Sequence, residues 1–130
     1  MSIQAYQNNS VETASPGELT LMLYNGCIKF IKLARTSMEN NEIEKKNTNI
    51  QKAQNIIQEL MVTMNQEYAI SKQIMPLYDY MYHRLIEANT KNDVAILDEV
   101  QGLTEEFRDT WKQVILKTRQ QQHGKGALAK

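Results

Sequence analysis

A chain of 130 residues is long enough for one compact domain, burying about two thirds of the surface its unfolded form exposes, and too short for two. Fifteen basic residues balance fifteen acidic ones, so no global field favours phosphate backbones or anionic lipid, which argues against nucleic acid as a partner. Cys27 is the only cysteine, which excludes an intramolecular disulfide, and the chain has neither signal-peptide order at its start nor an apolar run that could span a bilayer, so the expectation is a soluble cytoplasmic protein with no membrane insertion.

The first fourteen residues are polar, with Ile3, Tyr6 and Val11 as the side chains able to dock on a folded surface. They read as a flexible arm. Ser15 is placed to cap a helix, Pro16 suits a first turn that needs no backbone donor, and Glu18 three residues on closes a capping box. The helix predicted here runs over about 16–38, with Leu23, Cys27, Phe30, Ala34 and Met38 three or four apart, until Asn40 and Asn41 break it. Leu19, Leu21, Met22, Leu23 and Tyr24 point around most of its circumference, so its start needs cover on nearly all sides.

In the second predicted helix, about 42–66, Ile43, Ile50, Ile57 and Met64 fall seven apart, with Ala53, Leu60 and Met61 between them. Lys46 and Asn47 interrupt that seam, so its beginning is expected to fray or meet solvent. A third helix, about 73–89, carries Ile74, Leu77, Tyr78, Met81, Leu85 and Ala88 on one face, with Ser71 as a candidate cap and Pro76 confined to the first turn. After a turn through Asn89 to Asp93, a fourth helix over about 93–118 repeats Leu97, Val100, Leu103, Phe107, Trp111 and Val114. The glycine-punctuated segment 119–130 reads as a disordered tail. Four helices with short connections predict an all-α fold: a single-domain, antiparallel up-down-up-down four-helix bundle with an arm and a tail.

No catalytic residues, metal site or cofactor are expected. A di-iron bundle needs inward carboxylates and Glu-x-x-His pairs, and the only histidine within a predicted helix is His83. His83 also projects from its helix as a phosphotransfer histidine would. However, Ile86 and Glu87 stand one turn on, where such a site needs a small residue and a lysine, and a carboxylate repels an incoming phosphate. No nucleophile-base order or glycine-rich phosphate loop is present. Gly26 and Gly102 lie in helices, where each costs about 1 kcal/mol relative to alanine and marks either a close approach, a groove or a tolerated glycine.

What remains is surface. Met61, Met64, Met75 and Met81, with Tyr78, Tyr80 and Tyr82, concentrate adaptable and amphipathic side chains on the second and third helices. As a set they offer more apolar area than four helices bury among themselves.

The order Tyr6, Val11, Thr13-Ala14-Ser15-Pro16, Leu19 and Met22-Leu23-Tyr24-Asn25-Gly26 resembles the signature of the flagellin-specific export chaperone family, FliS. Later blocks extend the resemblance: Ala53 to Leu60, Tyr78-Asp79-Tyr80-Met81, Glu87-Ala88-Asn89 with Lys91-Asn92-Asp93, and Phe107-Arg108 with Trp111. The resemblance implies a cytoplasmic chaperone with two partners, the C-terminal segment of flagellin and the flagellar export apparatus, that prevents premature polymerisation. It also implies that the arm, through Ile3 and Tyr6, occupies an empty groove. For that groove the expected residues are Ile50, Ile57, Met61, Met64, Leu77, Tyr78 and Met81, chosen because they place the most adaptable side chains on adjacent helices. The alternative is a self-associating structural bundle, a weak homodimer covering its own apolar surface.

Overall fold

The computed structural model describes residues 16–64 and 70–129, with side chains over 17–64 and 70–117. All regular structure among the described residues is helical: α1 spans Pro16–Glu39, α2 Ile43–Thr63, α3 Ser71–Lys91 and α4 Val94–Ala129. Each helix packs on two others, α1 on α2 and α4, and α3 on α2 and α4, with α1 and α3 on one diagonal. Short turns make α1 and α2, and α3 and α4, antiparallel, and the pairing of Lys46 with Asn92 and Gln58 with Tyr82 sets α2 and α3 antiparallel as well, which is the expected up-down-up-down bundle. Two ends follow from this path: a turn end, where α1 passes to α2 and α3 to α4, and a far end, where α1 begins and α2 leads to α3.

The turn end is closed twice by the same device. Asn41 adopts a left-handed φ of 57°, and the Glu42 N–H reaches back to the Ser37 carbonyl at 2.8 Å. Asn92 adopts φ 53° and ψ 48°, and the Asp93 N–H reaches the Ala88 carbonyl at 3.1 Å. Both are Schellman-type closures with asparagine in the place glycine usually takes. Asp93 then caps α4, its Oδ1 accepting the Ala95 N–H at 2.9 Å.

The core fills the space between the helices with Leu23, Cys27, Phe30, Ile31 and Ala34 of α1, Ile50, Ala53, Ile57 and Leu60 of α2, Tyr78, Met81 and Leu85 of α3, and Leu97 and Val100 of α4. The three-four spacing of the sequence therefore marks most of the inward faces, but Ile43, Leu77 and Val114, which keep the same spacing, are exposed. Around the α1 start, Leu23 and Tyr24 are buried while Leu19, Leu21 and Met22 are half-buried, so cover is partial.

Several local expectations are corrected. The α2 start meets solvent at Ile43, as expected, but Lys46 is no gap in the seam: it is buried, and its Nζ donates to the Asn92 Oδ1 at 3.1 Å and the Asn89 carbonyl at 3.4 Å. A cation on the last turn of α3 satisfies carbonyls that helix geometry leaves open. Ser71 is no cap; Ile70 holds that position and makes no side-chain cap bond, while Ser71 is the first helical residue and is buried. Pro76 lies in the sixth position of α3, past the first turn, but on the exposed side, where water can serve the carbonyl whose donor it removes. Finally, α4 continues as helix to Ala129, beyond the end expected near residue 118; Lys117 to Gln122 are mostly good helix formers and no proline stops them. Ser15 and the arm lie outside the described residues.

Candidate partner-binding surface

Four of the seven expected groove residues are interior. Ile50, Ile57, Tyr78 and Met81 are each no more than 1% exposed, so none offers surface while the bundle is closed. Met61 and Met64 are half-buried against the core at the α2 end, and Leu77 is 44% exposed on α3. Ile3 and Tyr6 lie outside the described residues.

Tyr78 shows why side-chain type is a poor guide to the groove. Its ring packs at 57° to that of Phe107, with centroids 5.7 Å apart, and Tyr24 stacks on the same Phe107 ring at 6.1 Å. Burial pushes both phenols above their ordinary pKa, and in Tyr78 the neighbouring Tyr24 adds to the effect. Two neutral hydroxyls therefore bond to each other across the bundle. The polar tip that reads as an interface feature in the sequence is used internally.

Leu33, Ile43 and Ile86 are exposed nearer the turn end, but towards the far end Val62, Ile70, Leu77, Val114 and Leu116 are exposed. Arg84 and Tyr80 of α3 both bond Glu99 of α4, at 2.7 Å and 3.0 Å, which fixes the antiparallel register of that pair. From there the flank of α3 descends through Leu77 to Ile70, three to four and seven residues apart, which places them on one stripe. In that register Leu77 comes level with the turn from Leu103 to Phe107, and Ile70, seven residues on, with the turn from Trp111 to Val114. Leu77, Ile70 and Val114 are exposed, and Leu103 and Phe107 half-buried. The outer α3/α4 seam is thus polar at one end, where Glu87 also joins Arg84 and Lys91, and apolar at the other. On the adjacent helix, Met61, Val62 and Met64 bring further apolar surface to the same end, Val62 being 79% exposed.

Val62 and Ile70 were not singled out in the sequence. Val62 stands opposite the seven-residue seam of α2, a position where an apolar residue has no internal partner, and that was the available signal. Ile70 precedes the helix and has no periodic signature.

The far end also holds the α1 start. Trp111 donates its indole N–H to the Gly17 carbonyl at 2.8 Å, and a Cβ on Gly17 would stand 3.3 Å from Ile115 Cγ1. The first described turn of α1 is therefore held against the far end of α4.

Among the described residues, the two side chains most suited to covalent chemistry, Cys27 and His83, are not set up for it. Burial pushes the Cys27 thiol up to about 12, so it stays protonated and unreactive at neutral pH. His83 is exposed and bonds through Nδ1 to the Asp79 carbonyl of its own helix at 2.8 Å. Among the described residues no three His, Cys, Asp or Glu side chains are grouped to hold a metal, and no helix is long and apolar enough to cross a membrane. The surface offers apolar contact area bounded by hydrogen-bonding groups, which suits capture of an amphipathic segment.

Comparison with known proteins bears on what that segment is. Residues 1–118 match the family described as flagellar protein FliS. A flagellar secretion chaperone FliS from Bacillus subtilis is 57% identical over 125 residues, covering 96% of this chain and 94% of the relative. One from Salmonella typhimurium is 37% identical, covering 86% and 88%, and a flagellar secretion chaperone FliSB from Pseudomonas aeruginosa is 35% identical, covering 85% and 92%.

Proposed function

The chain belongs to the FliS family of flagellar secretion chaperones, and from that premise we propose that its client is flagellin, bound through the C-terminal helical segment. The family is one of chaperones, not of enzymes. The observation that carries the reading of the site is the apolar half of the α3/α4 seam, with Leu77, Ile70 and Val114 exposed on a chain whose core is otherwise closed. A flagellin terminal helix that packs against its neighbours in a filament presents an apolar stripe when alone, and a chaperone that covers the stripe removes the polymerisation interface. Of the seven residues expected in the groove, Met61, Met64 and Leu77 are the ones a client can touch directly; Ile50, Ile57, Tyr78 and Met81 support them from within.

Ile3 and Tyr6 compete for the same surface in this reading, since the arm is joined to the start of α1, at the same end of the bundle. The protein works in the cytoplasm, and the loaded complex is handed to the flagellar type III export apparatus. Calorimetric titration with flagellin, beside flagellin lacking its C-terminal segment, tests the reading. One-to-one binding with a negative heat-capacity change, lost on truncation, supports it. Absence of binding to both, with a mass that rises with concentration, overturns it in favour of a self-associating bundle.

A further inference from the structure

On the opposite side of the bundle, Lys29 of α1 and Lys52 of α2 both place their Nζ over the Phe30 ring, at 5.5 Å and 5.2 Å from its centroid. Ammonium groups from two neighbouring helices are thus gathered at one ring. Neither makes an ion pair among the described residues, whereas Arg35, Lys45 and Lys91 on the same helices and α3 each have a carboxylate. The buried ring fixes both stems, because a cation over an aromatic face gains from the ring's quadrupole.

Around this pair the α1 surface is apolar. Met22, Gly26, Lys29 and Leu33 fall three to four residues apart, on one stripe beside α2. Met22 and Gly26 are half-buried and Leu33 is 43% exposed. Gly26 has no side chain, so the strip is flat between Met22 and Lys29. Its span, eleven residues at the helical rise, is about three turns.

We propose that the outer α1/α2 seam is a second docking surface, separate from the client seam, for an amphipathic helical segment of a partner protein that carries carboxylates amid its apolar stripe. Leu33 and Met22 contact the stripe, and a carboxylate seats between Lys29 and Lys52. The ring holds both lysines before the partner arrives, which lowers the ordering cost of that contact.

The probe is a synthetic helical peptide of about sixteen residues with leucines on one face and two central glutamates, titrated into the full chain beside a control with lysines for the glutamates. The acidic peptide is expected to bind at least about tenfold tighter, a difference worth one close charge contact. K29E with K52E should invert that preference, while Leu33→Ser weakens both peptides and Leu77→Glu weakens neither. All four positions are exposed, and circular dichroism confirms the fold of each variant. Equal affinity for the two peptides, no binding of either, or indifference to K29E with K52E overturns the proposal. So does self-association of the chain that Leu33→Ser abolishes, which would assign the seam to a second copy.

Discussion

The hydroxyls of Tyr24 and Tyr78 meet at 2.5 Å across the α1 to α3 diagonal, in a core where both residues are essentially inaccessible. The two helices have no backbone contact, so this bond and the shared contact with Phe107 join the diagonal.

Tyr24→Phe leaves the Tyr78 hydroxyl buried without its partner and is expected to cost about 1–3 kcal/mol. The double phenylalanine variant should be more stable than the sum of the single losses predicts, because no orphaned hydroxyl remains. A urea double-mutant cycle measures the coupling; additive losses would show that the bond contributes nothing.

Lys46→Met removes the donor from the Asn89 carbonyl and the Asn92 side chain. Expected effects are a loss of about 1–3 kcal/mol and faster amide exchange in the last turn of α3, with the far end unaffected. Uniform acceleration throughout the bundle would show that the lysine has no local role.

These two sites mark the limit of what the sequence conveys. The helices and most of their inward faces were legible because Leu23, Cys27, Phe30 and Ala34, or Leu97, Val100 and Phe107, repeat at the helical period. Lys46 was not, since a lysine inside an apolar seam looks like a defect until the α3 carbonyls above it are known. Tyr78 and Met81 misled for a related reason. Methionine and tyrosine are chosen by interfaces and by irregular cores alike, and only the positions of Phe107 and Tyr24 separate the two. The family, by contrast, was legible from the blocks running from Tyr6 to Trp111, because membership depends on residue order and not on which side chains end up inside.

Acid should loosen the α3/α4 seam. The Arg84 hydrogen bond holds the Glu99 carboxyl below its ordinary range, and bonds from Lys91 and then Arg84 do the same for Glu87. A native pKa below the unfolded value means that the unfolded chain takes up protons first as pH falls. The contribution is therefore complete above the ordinary glutamate pKa, about 4.3, and vanishes as pH drops through the native value. Urea midpoints taken at successively lower pH should fall, and less steeply in Arg84→Gln. Parallel profiles would exclude this network as the cause.

Leu77→Glu and Phe107→Ala should separate binding from folding. Leu77 is exposed, so its replacement should leave the melting temperature nearly unchanged and weaken flagellin about tenfold or more, as loss of a contact inside an interface does. Phe107 supports two buried tyrosines, and its truncation should cost about 3 kcal/mol of stability. Tyr6→Ala should behave like Leu77→Glu in leaving stability intact. Equal drops in melting temperature across the three variants would contradict this division.

The two ends of the bundle are fastened differently, and the asymmetry gives it a grain. Asn41, Asn92 and Lys46 tie the turn end through backbone geometry and a buried cation, whereas the indole bond of Trp111 to Gly17 stands at the start of α1 and Pro76 leaves a gap in the ladder of α3. Fluctuations then begin at the far end and travel towards the turns. A load applied to a segment seated on the α3/α4 seam would peel its contacts away one level at a time instead of shearing them together, so a tightly held cargo could be stripped by a modest, sustained pull.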